Sequence, residues 1–108
     1  MNWDQTYVKG KLRETIYTLA VSPGDIRKRL AQVYPVFLFR LKKEDFPEKL
    51  QDDWEWIQKE IKRFGPIKRE DGSTFIGSVD HTCRRIKNKT GVKIAEKLLA
   101  MYLYLEEN

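Results

Sequence analysis

Residues 45–66 read DFPEKLQDDWEWIQKEIKRFGP, and their pattern decides the fold class. Leu50, Trp54, Ile57, Ile61 and Phe64 recur at spacings of 4, 3, 4 and 3. That repeat draws one apolar stripe down an α-helix, whereas a strand would alternate. Asp45 or Phe46 caps the start, and Pro47 suits the first turn, where a backbone N–H is not needed. Glu48 complements the positive end of the helix dipole, and Lys62 and Arg63 complement the negative end. Gly65 and Pro66 then stop the helix. A single stripe has to be covered, so the rest of the chain must supply helices with matching faces.

Upstream, the pattern predicts a second helix from Ser22 as N-cap, with Pro23 at the first position and Asp25 at the dipole. Ile26, Leu30, Val33 and Phe37 form its face, widened by Tyr34, Leu38 and Leu41. Val36 and Phe39 make its second half apolar nearly all round, the mark of the most enclosed helix, and Pro35 should kink it. A first helix is expected over Asp4–Ala20, with Val8, Leu12, Ile16 and Leu19 inward and Thr15 on the same side. Gly10 weakens it by about 1 kcal/mol relative to alanine.

Downstream, residues 66–78 read as an irregular loop, in which Asp71-Gly72 and Thr74-Phe75-Ile76 leave room for a small hairpin. A short helix follows near 79–87, capped by Ser78 or Asp80. Asn88 and Thr90 interrupt it, with Thr90 as the candidate cap of a last helix over Gly91–Leu105. Ala95, Leu98, Tyr102 and Leu105 form that helix's main face, broadened by Ile94, Leu99 and Met101. The expected fold is all-α: a four-helix bundle-like single domain over residues 1–108, with a short extra helix near 79–87 and an irregular 66–78 loop. Leu30, Phe37, Trp54, Ile57, Leu98 and Tyr102 should share its core.

The chain carries 21 basic and 16 acidic residues, a formal net charge of +5. Its charge is unevenly spread. Arg84, Arg85, Lys87, Lys89, Lys93 and Lys97 stand in one short segment with a single acid, Glu96, and that segment accounts for the whole excess. A neutral body with one basic segment suggests a docking surface for something anionic. The first reading is a non-enzymatic interaction module whose basic segment meets an acidic protein, or the acidic third helix of a second copy in a homodimer. The alternative is a nucleic-acid-binding accessory protein using residues 84–97. Lys89, Lys93 and Lys97 are spaced by four and share one helix face. Aromatic residues near the segment that could stack on bases are few: Phe75, Tyr102 and Tyr104. Trp56 lies about 80° off the third helix's stripe. Either the 66–78 loop covers it or it is an exposed anchor for a partner.

The chemistry of catalysis is poorly represented. His81 and Cys83, two residues apart on a helix, point in different directions and cannot act as a base and nucleophile pair. One cysteine and one histidine do not make a zinc site. The acids Glu44, Asp45, Asp52, Asp53, Glu55 and Glu60 sit among lysines, as on a solvated face with pairs such as Glu55 and Lys59. Gly72 and Gly77 match neither phosphate-loop nor dinucleotide patterns. The expectation is therefore no enzyme, no metal, no cofactor and no small-molecule substrate. Cys83 has no intramolecular disulfide partner, Met1-Asn2-Trp3-Asp4-Gln5 does not read as a secretion signal, and no apolar run approaches the roughly 20 residues of a membrane span. These features point to a cytoplasmic protein without a membrane partner.

Ser22-x-Gly24-x-Ile26-x-x-Arg29-Leu30, then Leu41-x-x-x-Asp45-Phe46-Pro47-x-x-Leu50, the Gly72 loop and Ala95-x-x-Leu98-x-x-x-Tyr102 together resemble a group of small uncharacterised bacterial proteins of similar length. The resemblance spans roughly residues 11–103. It implies a small all-helical domain of a bacterial cytoplasm and carries no activity.

Overall fold

The computed structural model describes residues 5–107. Asp4, the expected start of the first helix, and the remainder of Met1-Asn2-Trp3 lie outside them. The described chain is mostly helical: α1 (Gln5–Val21), α2 (Ile26–Val33), a π turn (Tyr34–Leu38), a 3-10 turn (Lys43–Asp45), α3 (Glu48–Ile61), a hairpin of β1 (Ile67–Lys68) and β2 (Thr74–Ile76), α4 (Ser78–Arg85) and α5 (Asn88–Glu107). The molecule measures 47 × 31 × 20 Å. Its thin dimension fits two helix layers, each about 10 Å across.

In α1, Val8, Leu12, Thr15 and Leu19 are buried as their spacing predicts, with Ile16 at the margin. The cap of α2 differs from expectation. Gly24 takes a φ of +91° and turns the chain, so that Asp25 rather than Ser22 becomes the N-cap. The Asp25 carboxylate accepts from the Lys28 N–H at 3.1 Å. Arg27 donates to the same carboxylate at 3.0 Å, and these two bonds, Arg27's the larger influence, hold the Asp25 carboxyl below the usual carboxylate range.

Pro35 does more than kink the second helix. Without a proline N–H the ladder opens, and the Phe39 N–H reaches back five residues to the Tyr34 carbonyl at 2.9 Å. The extra residue in that turn rotates the next few side chains by about 100° relative to the sequence wheel. Leu38 and Leu41 are buried as a result, Phe37 moves to the margin, and Val36 and Phe39 face outward. The second half of this segment is therefore not enclosed all round, as its composition suggests.

α3 buries Leu50, Trp54, Ile57 and Ile61 of the expected stripe, whereas Phe64 lies in the turn beyond its end and is half-buried. Pro47, with no N–H to satisfy, stands at the N-cap in place of Asp45 or Phe46. Phe46, just ahead of the helix, is buried against Trp54 with ring centroids 4.8 Å apart. Residues 66–78 are more ordered than an irregular loop: Ile67 pairs with Ile76 and Lys68 with Thr74 in an antiparallel hairpin, with a bulge at the unpaired Phe75.

α5 begins at Asn88, ahead of the expected Gly91, because the N–H groups of Thr90 and Gly91 both donate to the Lys87 carbonyl, at 3.0 and 3.2 Å. Thr90 therefore lies in the first turn instead of capping it. The buried face is Ile94, Leu98, Met101 and Leu105, and Ala95 and Tyr102 lie at its margins. Leu99 is turned outward. Of the expected core set, Leu30, Trp54, Ile57 and Leu98 are buried, while Phe37 and Tyr102 pack on its edge.

α5 packs against α1, α2 and α3. Gly91 makes the approach to α2 possible, since a Cβ there would stand 2.9 Å from Ile26 Cγ2. Ile26 is β-branched and stiff at χ1, so it cannot swing aside cheaply. Gly10 is the opposite case: a Cβ on α1 would meet nothing within 4 Å. Gly10→Ala should therefore stabilise the protein by about 0.5–1 kcal/mol through helix propensity. Gly91→Ala should destabilise it by about 1–3 kcal/mol through overpacking. Urea denaturation of both variants tests this; a stabilising Gly91→Ala would show that α2 and α5 are not in close contact there.

Candidate functional site

The six residues of the basic segment occupy four different settings. Arg84 projects from α4 and pairs with Asp80 one turn earlier, at 3.2 Å. It borders a cleft of about 300 Å³ with Asp25, Arg27 and Lys28, floored by Cys83. Arg85 turns the other way and lays its guanidinium over the Phe64 ring, 4.5 Å from the centroid. Lys87, Lys89 and Lys93 are exposed and make no ion pair among the described residues. Lys97, on the same side of α5 as Lys93, reaches α3 instead: its Nζ lies 2.9 Å from Asp53 Oδ1 and 5.3 Å from the centre of the Trp56 ring. The acidic third helix and the basic segment therefore meet within one chain.

Trp56 is half-buried, and α5 is what flanks it: Lys93, Glu96 and Lys97 face it, with Asp52 and Asp53, across an open hollow. Its ring is partly covered by the Lys97 side chain, a stem over apolar surface with its charge at the edge.

Two features escape a reading of the sequence. The first is on the outer side of α5. Val92, Leu99 and Leu103 are 45%, 42% and 49% exposed, and with Glu96 they run at spacings of 4, 3 and 4 along the side opposite the core. Lys89 and Lys93 border that stripe, and Glu106 and Glu107 end it. The signal is present as a second heptad-like repeat, but Leu99 is read naturally as part of the inner face.

The second is at the junction of α3, the hairpin and α4. The buried Thr82 hydroxyl accepts the Phe64 N–H at 3.0 Å. His81 Nδ1–H donates to the Gly65 carbonyl at 2.9 Å. These two bonds clamp Phe64 and Gly65 onto α4, so that Phe64 lies under Arg85 and also under Arg63, whose guanidinium is 5.0 Å from the ring centroid. On the hairpin, Arg69 stacks in the same way over Phe75 at 5.3 Å. No sequence signal joins Arg85 to Phe64, because their pairing depends on the turn between α3 and α4.

His81 and Cys83 do not converge: His81 Nδ1 is occupied by Gly65, and Cys83 is buried. Burial pushes the Cys83 thiol up to about 11, with Asp80 adding to the rise and Arg27 opposing it. No group of three or more His, Cys, Asp or Glu side chains that could hold a metal ion stands together among the described residues. No described helix is long and apolar enough to cross a membrane. An open, largely apolar groove of about 450 Å³ runs beside the π turn, bordered by Tyr34, Pro35, Phe39, Lys62 and Val79.

No family model matches the chain, and neither a curated protein nor a solved structure matches it.

The clamp makes a direct expectation. Thr82→Val keeps the shape but leaves the Phe64 N–H unpaired, and should cost about 1–3 kcal/mol in denaturant unfolding, while Thr82→Ser should cost less. Cys83 gives a pH test. Its thiol pKa is raised in the folded state, so the stability it contributes is whole below the ordinary value of about 8.5 and is lost as pH rises towards 11. The stability advantage of the wild type over Cys83→Ala should therefore shrink between about pH 8 and pH 10.5; a constant difference would show that the thiol ionises normally.

Proposed function

We propose that this chain is a non-enzymatic interaction module, built as a small helical bundle, that self-associates through the outer side of α5. The observation that carries this reading is the exposed stripe of Val92, Leu99 and Leu103 on a helix whose opposite side is fully committed to the core. A stripe spaced 4, 3 and 4 is the seam of a two-helix coiled coil. An antiparallel pairing suits its charges. It sets the Lys87, Lys89 and Lys93 end of one copy against the Glu106 and Glu107 end of the other, and Val92 opposite Leu103. Glu96 interrupts the seam, as a single polar position does when it selects register at some cost in affinity. Lys87, Lys89 and Lys93, which have no acidic partner among the described residues, also support a second occupant, an acidic protein surface.

Sedimentation equilibrium decides between the two. The wild type should dimerise with a dissociation constant of micromolar order. Leu99→Glu should abolish dimerisation. Glu96→Leu should tighten it about tenfold or more, because one buried leucine is worth about 1.5–3 kcal/mol. A monomer at high micromolar concentration for both the wild type and Glu96→Leu would exclude self-association and leave the acidic-protein reading, whose association rate should fall with salt.

A further inference from the structure

We propose that the corner formed by Arg63, Phe64 and Arg85, with Arg69 and Phe75 on the adjoining hairpin, binds single-stranded nucleic acid, with phosphates at the guanidinium groups and a base stacked on Phe75. The surface is separate from the outer side of α5 and does not depend on self-association.

Three observations carry the inference. Two guanidinium groups stand on one ring, 5.0 and 4.5 Å from the Phe64 centroid, although like charges brought together repel. Their only ionic partner among the described residues is Glu60, 3.8 Å from Arg63, and Arg85 has none. That single pair is long, lies on the surface and is weakly held, so the corner retains most of its positive charge and its N–H donors. Both guanidinium groups lie over the ring, and their N–H donors suit the bidentate grip of a phosphate.

The second observation is Phe75. It lies on the bulge of the hairpin and is 61% exposed, with Arg69 on its ring and Lys68 beside it in sequence. Arg69 is itself fixed by bonds to the Thr74 carbonyl at 3.0 Å and the Ser73 hydroxyl at 3.4 Å. An exposed ring next to fixed cations is the element on which single-stranded binders stack a base, without regard to which base it is. Of the two acids in the turn, Asp71 is engaged by the Ser73 N–H and hydroxyl at 2.9 and 2.6 Å, and Glu70, exposed next to Arg69 in sequence, forms no ion pair with it.

The third observation is the division of residue types. The cations at aromatic rings in this corner are arginines, Arg63, Arg69 and Arg85, whereas the exposed cations of α5 are lysines, Lys89 and Lys93. A diffuse electrostatic surface for an acidic protein has no need of planar, stacking cations. A surface that grips phosphates between stacked bases does.

The test is fluorescence anisotropy with labelled 12-nucleotide dT and rU strands, at about 50 mM salt and above. Binding should be measurable at the lowest salt and weaken as salt rises. Arg63→Gln with Arg85→Gln should weaken it and make the slope of log affinity on log salt shallower by about 1.4, from roughly 0.7 per phosphate on a single strand. Phe75→Ala should weaken binding about 5- to 150-fold and leave the slope unchanged, because stacking releases no counterions. Phe75 is exposed on the hairpin, so this variant serves even if the arginine pair disturbs folding. Lys89→Gln with Lys93→Gln should leave affinity near that of the wild type. Absence of binding to either strand at about 50 mM salt would overturn the proposal. So would an unchanged slope in the arginine variant, or displacement of the strand by polyglutamate as readily as by unlabelled dT, which would identify an acidic protein as the ligand.

Discussion

The close contact between α5 and α2 at Gly91 and Ile26 is the constraint on which the rest of the arrangement depends. A helix that packs against α1, α2 and α3 at once has little freedom to rotate about its axis. The glycine removes what freedom remains, because only the residue at position 91 can face Ile26 without a clash. Ile94, Leu98, Met101 and Leu105 then point into the core as a consequence. So does the placing of Lys97 over Trp56 and against Asp53. The orientation of the inner face also decides what the outer face displays. Val92, Leu99 and Leu103 are exposed because the opposite side of the helix is buried, and no local rotamer change can hide them.

Much of this was legible in the chain, wherever a local period was enough. The α3 stripe is the clearest case: Leu50, Trp54, Ile57 and Ile61 are buried as spaced, and the same holds for Val8, Leu12 and Leu19 of α1. Errors gather where one residue changes the phase. Pro35 inserts a wider turn, and beyond it a wheel drawn from Ile26 assigns Phe37 inward and misjudges Val36 and Phe39. The start of α5 is misread for a different reason. Asn88 and Thr90 are good cap residues by type, but Ile86 is buried and its carbonyl is held by Arg27 at 3.0 Å. That tether lets the helix begin immediately after Lys87, which leaves Thr90 within the first turn. Ser22 loses its cap to Asp25 because Gly24 turns the chain between them.

The surfaces were less legible for a different reason. Summing charge along the chain locates a basic segment, but charge acts in space. Lys97 pairs with Asp53, 44 residues away in sequence, and Arg84 pairs with Asp80 one turn earlier, while Arg85 keeps its charge over the Phe64 ring. What remains of the segment is smaller than its sum, and part of the molecule's unpaired charge lies outside it, on Arg69 and Lys68. Tyr102 illustrates the same point for an edge residue. Partial burial pushes its phenol pKa up, and the hydrogen bond with Glu106 adds to the rise, a neighbour that a wheel assigning Tyr102 to the core would not reveal.

The two surfaces differ in how they are held, and this bears on what each can recognise. The side chains of the α5 stripe are simple apolar groups on a rigid helix. They offer shape and little direction, which suits a second helix whose own stripe supplies the register. The corner at Phe64 is held by directed bonds: Thr82 fixes the backbone of Phe64, His81 fixes that of Gly65, and the ring then positions two cations. Such a constellation orders its charges before any ligand arrives. The entropy lost in fixing Arg63 and Arg85 is met during folding, so a phosphate finds donors already arranged. Lys89 and Lys93 have no comparable support, and their ammonium groups must be ordered by whatever binds them. Pre-organisation, more than the amount of charge, therefore separates the arginine corner from the lysine-bearing helix. It is also the reason why Arg85, alone of the segment with the largest charge sum, belongs to the best-built anion site in the molecule.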